Sequence, residues 1–231
     1  MLLKFALRGR HRTRRLFLMN RAPKHCPFLL SWFRYMMIHT TALPRLTYAG
    51  NGDGENMADF NIAFEWTMKN EDSQMACAQV PDAAPAGVAG PCYAISGINS
   101  GAWPVDFAAI AALPQSSRKP AVKAFYQAHF WNHWYDQLNS DDLAKRVFDF
   151  AVNGGPGTAV RTLQQAVNAL GGNLTPDGGW GPHTLAAANA ADPDALVKAF
   201  IAARVAHYQA IVASNPADAR YLNGWLARAQ G

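Results

Sequence analysis

Cysteine is scarce in this chain of 231 residues: Cys26, Cys77 and Cys92 are the only three. No two stand in C-x-x-C spacing, which excludes the usual structural zinc site. Cys77 and Cys92 bracket one loop; they pair in an oxidising compartment and stay free thiols otherwise. Long apolar runs are also missing. The apolar stretch at 27–38 is brief and is broken by Arg34, against the roughly 20 residues of a spanning helix. The apolar stretch at 16–19 is too short for a secretory signal and is followed by Arg21 and Lys24. No G-x-S-x-G, phosphate loop or dinucleotide fingerprint occurs, so no cofactor is expected. Only 16% of residues are charged while half are hydrophobic, which excludes wholesale disorder.

The formal charge of +5 is unevenly spread. Residues 1–56 hold 10 Lys/Arg against 2 Asp/Glu; residues 57–231 hold 11 against 14. A basic chain suggests nucleic acid or anionic membrane as partner, but here only residues 1–56 carry that charge. Arg8, Arg10, Arg12, Arg14 and Arg15 would make a short basic arm. A blander expectation is that the start is mis-assigned. The codons for Gly54-Glu55-Asn56 can supply a purine-rich ribosome-binding site just before Met57, where the first well-patterned helix begins. The expected layout is therefore a basic extension at 1–56, a catalytic part at 57–150 and a helical C-terminal module at 151–231.

After Met57 the pattern is mainly helical. Asp59 is placed to cap a helix through about 70, whose Phe60, Phe64 and Met68 share one face. The stretch 72–102 carries Pro81, Pro85 and Pro91 with several glycines, and predicts a long loop with a small β-hairpin. Helices are expected near 105–113, 119–138, 140–152, 158–170, 182–191, 194–214 and 217–228. Ser140 caps one of them.

Glu71 is the first candidate for chemistry. It continues the Phe60/Phe64/Met68 face, so its carboxyl is expected among packed groups at a helix end. Burial favours the protonated form of a carboxyl, which a general acid for glycosidic cleavage needs. Glu65, with Asn61 and Lys69 at i±4, belongs to a solvated face. A second carboxylate would orient water or stabilise the developing charge, and Asp82 in the loop is the leading candidate. Trp180, in the turn Asp177-Gly178-Gly179-Trp180-Gly181-Pro182, would either stack on a sugar or plug the core. Asn153 would bond an N-acetyl group or cap its helix. Trp131, Trp134 and Tyr135 form an aromatic cluster more typical of a core. His129 and His133 share a helix face if that helix runs to 138, with Asp136 beyond them. The zinc-protease motif needs a Glu where Phe130 stands, so metal binding is not expected.

Residues 60–231 resemble glycoside hydrolase family 108, the muramidases of phage endolysins and secretion activators. The stretches that carry the resemblance are F-D-F-A-V-N-G-G-P-G-T-A-V-R-T-L-Q-Q-A-V at 148–167, D-G-G-W-G-P-H-T-L at 177–185, R-V-A-H-Y at 204–208 and G-W-L-A-R at 224–228. They look like the family's C-terminal peptidoglycan-associated module, and F-Y-Q-A-H-F-W at 125–131 matches the helix before it. The family's catalytic Glu ends the first helix in an E-G-G motif. Glu71 occupies that place, with Asp72 and Ser73 where the glycines stand. In C-Y-A-I-S at 92–96, Tyr93, Ile95 and Ser96 match the family hairpin, Ala94 replaces a glycine and Pro91 takes the threonine position. The second-carboxylate role falls to Asp82, the only acidic residue between Asp72 and Ile95.

The resemblance implies a mainly α, lysozyme-like fold with a small hairpin after the first helix. It implies hydrolysis of the β-1,4 bond between N-acetylmuramic acid and N-acetylglucosamine, with Glu71 and Asp82 catalytic and Tyr93, Ser96, Asn153 and Trp180 lining the substrate. The alternatives are a lytic transglycosylase and a non-catalytic peptidoglycan-binding protein. The expected partner is peptidoglycan, met in the periplasm or cell wall by a monomer made in the cytoplasm. Nucleic acid is not an expected partner; a holin or secretion machinery would provide the exit route.

Overall fold

A computed structural model of the chain describes residues 57–231. The expectations for residues 1–56 and for Cys26 lie outside the described residues. Among the described residues the chain forms helix α1 at Phe60–Glu71, strands β1 at Gln79–Asp82, β2 at Cys92–Ile95 and β3 at Ile98–Asn99, then α2 at Pro104–Ala111 and α3 at Arg118–Phe130. Helices α4 at Asp141–Gly154, α5 at Pro156–Ala169, α6 at Pro182–Ala190, α7 at Pro193–Ser214 and α8 at Ala219–Gln230 follow. The fold is mainly helical with one small antiparallel sheet after the first helix, as the sequence predicts.

Helix α1 starts where the sequence supplies a cap: Asp59 Oδ1 accepts the Asn61 N–H at 2.7 Å. The Asp59 N–H donates to Asp141 Oδ1 at 2.8 Å, tying the start of α1 to the start of α4. Phe60, Ala63, Phe64, Thr67 and Met68 face inward, three and four positions apart as a helical stripe requires. Glu71 is the last residue of α1.

The predicted hairpin is a three-stranded sheet, β1-β2-β3. Gln79 opposes Ile95 and Asp82 opposes Cys92; Ile95 opposes Ile98 across the second pair. Ser96 and Gly97 link β2 to β3 with φ of 46° and 81°. Two successive positive φ values are what a two-residue type I′ turn demands, and they keep the twist of the flanking strands. Cys77 and Cys92 are buried as two free thiols.

One expectation fails clearly. The helix predicted over 119–138 ends at Phe130, because Trp131 is extended at φ −98° and ψ 133°. Asn132 Oδ1 accepts the Trp134 N–H at 3.0 Å and closes a local turn. A short 3-10 turn, Tyr135–Gln137, completes the segment. Apolar character continues through this stretch, but the turn lets Trp131 and Tyr135 stack at 4.8 Å and bury together.

Among the described residues one apolar cluster joins the elements. It joins Phe64 of α1, Ile95 of the sheet and Val122 of α3 to Phe148, Leu163, Phe200 and Trp225 of the later helices. Helix α4 runs through positions 150 and 151, where the two expected parts would meet. Helix α7 is long and apolar enough to cross a membrane by length and composition. Its stripe of Leu196, Phe200, Arg204 and Tyr208 is buried, and it packs on α4, α5 and α8, as the central helix of a bundle does.

Candidate active site

Glu71 sits where α1 meets the sheet. Its side chain is 7% exposed, and Oε1 accepts from Arg228 Nη2 at 2.8 Å. The Ser96–Gly97 turn closes over it. A Cβ on Gly97 would stand 2.7 Å from Glu71 Oε2, so this turn needs glycine both for its φ of 81° and for the close approach. The carboxylate therefore has one oxygen on a guanidinium and the other toward the hairpin. The packed setting at a helix end is as expected, and the ion pair with the last helix is an addition to it.

Arg228 belongs to a buried charge network. Its Nε lies 3.1 Å from both oxygens of Asp149, and its Nη2 lies 2.8 Å from Asp149 Oδ1. Arg204 Nη2 donates to Asp149 Oδ2 at 2.8 Å from the other side. Arg204 Nε donates to the Tyr208 hydroxyl at 3.0 Å, and that hydroxyl donates to Asn153 Oδ1. The network holds two guanidiniums and two carboxylates, so its charges balance. Burial disfavours the Asp149 charge, but Arg228 and then Arg204 outweigh it and hold the carboxyl below its ordinary range. Burial likewise opposes the Arg228 charge, and Asp149 and then Glu71 overcome it, keeping the guanidinium protonated. Burial raises the Tyr208 hydroxyl, which stays a neutral donor.

Asp72, next to Glu71, points elsewhere. Its Oδ1 accepts the Ala76 N–H at 3.0 Å, and its Oδ2 accepts the Cys77 N–H and the Ser96 hydroxyl, each at 2.8 Å. Ser96 thus anchors the turn beside Glu71; its carbonyl accepts from the Tyr126 hydroxyl at 2.8 Å. Asp82 lies at the Cys92 end of the β1–β2 pair, three positions from the end that adjoins the Ser96–Gly97 turn. That is about 10 Å along the strand. Its Oδ2 accepts from Asn99 Nδ2 at 2.7 Å and its Oδ1 from the Ala83 N–H at 2.8 Å.

The remaining candidates are spread out. Tyr93 is exposed on β2. Asn153 accepts from Tyr208 and so joins the buried network. Trp180 meets Tyr135 edge-on at 5.3 Å with its indole nitrogen buried, the core-plug arrangement. Glu65 is exposed, while Lys69 lies over the Trp66 ring at 5.0 Å. His129 and His133 do not share a helix, since α3 ends between them. His129 Nε2 lies 3.4 Å from Asp106, and Asp136 accepts from the Trp131 indole rather than from His133. Among the described residues no group of three or more His, Cys, Asp or Glu could hold a metal ion.

The sequence reading did not single out Asp149, Arg204 or Arg228. One signal was available: each is a charge set within an apolar helical stripe, at V-F-D-F-A-V, A-A-R-V-A and W-L-A-R-A. Charged residues are almost never fully buried unless paired, so three such positions on three apolar faces point to one shared network.

The comparisons with known proteins bear on the C-terminal third and on the fold. No curated protein matches the chain. The chain superposes on a solved structure titled "Structure of Brucella abortus SagA", at 24% identity and a TM-score of 0.51, over 74% of this chain and 89% of that one. Identity at that level shows a shared fold. Residues 158–230, from α5 to the end of α8, match the family described as "Predicted Peptidoglycan domain". The matched segment is the one that supplies Arg204 and Arg228.

Proposed function

We propose that the protein is a peptidoglycan hydrolase of the N-acetylmuramidase kind, with Glu71 as its general acid. One observation carries the reading: a glutamate at the end of the first helix, its carboxylate almost wholly covered and held between Arg228 and the Ser96–Gly97 turn. The match of residues 158–230 to a predicted peptidoglycan domain supports the substrate class. In this reading Glu71 takes up a proton before the step and gives it to the glycosidic oxygen as the bond to the anomeric carbon breaks, while a water bonds that carbon and passes its own proton to Asp82. Asp82 sits about 10 Å along the sheet from the turn over Glu71. In this reading Asp82 orients that water from the far end of the strand pair. Tyr93, exposed on the neighbouring strand β2, offers an aromatic face to a sugar ring.

A second reading is favoured by the ion pair itself. A glutamate bonded to a buried arginine also serves as a structural bridge, which suits a wall-binding protein without hydrolase activity. A turbidity assay on purified peptidoglycan separates the two. Wild type is expected to clear the suspension, and Glu71→Gln to slow clearing by about a thousandfold, within the range for a lost general acid. Wild type that sediments with walls but clears nothing would establish the binding reading.

A further inference from the structure

We propose that Arg228 is a positioning residue for Glu71, so that the C-terminal peptidoglycan-related segment supplies part of the catalytic site. The proposal rests on the muramidase reading above. Glu71 ends α1, far from Arg228 in sequence, yet Arg228 Nη2 stands 2.8 Å from Glu71 Oε1. The same nitrogen stands 2.8 Å from Asp149 Oδ1, and Nε lies 3.1 Å from both Asp149 oxygens. The guanidinium plane is therefore fixed by Asp149, and Arg204 fixes Asp149 from behind at 2.8 Å. All three side chains are 1% exposed or less.

This geometry gives the acid a fixed rotamer. A free glutamate has three rotatable bonds and samples many orientations. Held at Oε1, it presents Oε2 toward the Ser96–Gly97 turn, where a Cβ on Gly97 would come within 2.7 Å. A planar guanidinium fork fixes the orientation of the carboxylates it holds, which a lysine ammonium on its flexible stem does not. A network this buried is also a poor choice for stability alone, because apolar replacements often do as well. Positioning gives it a reason to exist.

The test uses the full chain and soluble peptidoglycan fragments, with kcat and KM for wild type, Glu71→Gln, Arg228→Lys and Arg204→Lys. Arg204→Lys loosens Asp149 from behind but keeps the Arg228–Glu71 contact, so it gauges what network disturbance costs while that contact remains. For Arg228→Lys, kcat is expected to fall about a hundredfold, the size of a misplacement of about 1 Å, with KM within about twofold. Arg204→Lys is expected to stay within about fivefold at comparable thermal stability. Adding Arg228→Lys to Glu71→Gln is expected to cause no further loss, since both act through one group. If both arginine variants lose activity in step with stability, Arg228 is a core bridge only, and the muramidase reading stands without it. If Arg228→Lys does not fold, Asp149→Asn replaces it; unchanged kcat there overturns the proposal. If Glu71→Gln is as active as wild type, or wild type releases no fragments, the muramidase reading fails and the proposal with it.

Discussion

Two regions meet at Glu71 and are built differently. On one side is the loop-and-sheet segment from Asp72 to Asn99. Its shape comes from side chains bonding to backbone and to one another within the segment: Asp72 accepts from the Ala76 and Cys77 N–H groups and the Ser96 hydroxyl, while Asn99 accepts the Gly101 and Ala102 N–H groups and donates to Asp82 and Ala83. On the other side are α4, α7 and α8, where long-range ion pairs cross between helices around Asp149. The first region is shaped by polar turns, and the second encloses its charges among buried apolar side chains. A carboxylate at the seam gains orientation from both, and neither region would provide it alone.

Breaking the helical side has the larger expected effect on stability. Asp149→Ala leaves two buried guanidiniums without their shared partner, and should cost about 3–5 kcal/mol in urea unfolding. Breaking the sheet side is milder. Asp72→Ala removes three hydrogen bonds to a charged acceptor in a partly exposed loop, for a loss of about 2–3 kcal/mol. Hydrogen exchange should rise in the sheet amides and not in α5–α8.

The pH dependence sharpens the same contrast. Asp149 is held below its ordinary range in the folded protein, against about 3.9 in an unfolded chain. Its contribution is complete above the unfolded value and is lost as pH falls through the lowered folded value. The loss per pH unit is at most about 1.4 kcal/mol for this one proton. Urea unfolding between neutral and strongly acid pH should show that slope in wild type and a flatter one in Asp149→Asn. The smallest effect is expected at Glu65, on the solvated face of α1. Glu65→Gln should leave lysis unchanged and stability within about 0.5 kcal/mol.

How legible this was depended on the range of the interactions. Local signals worked: Asp59, Ser140 and the proline-rich 72–102 stretch gave the cap of α1, the cap of α4 and the break into sheet. Glu71 was placed at the end of α1 by spacing and by family resemblance, and the structure puts it there. The failures came where apolar periodicity continued through a change of structure. Trp131, Trp134 and Tyr135 keep a helical rhythm, but Asn132 closes a turn among them. With that turn the His129/His133 pair lost its shared face. The Asp149 network was invisible for another reason. Its members lie on α4, α7 and α8, and no local pattern states which helices will pack.

The central claim is that Glu71 acts as a general acid on the glycan strand. Mass spectrometry of fragments released from purified peptidoglycan tests it most directly. The account predicts fragments with reducing N-acetylmuramic acid ends from wild type and almost none from Glu71→Gln. Anhydro-muramic ends, or equal release by the two proteins, would contradict it.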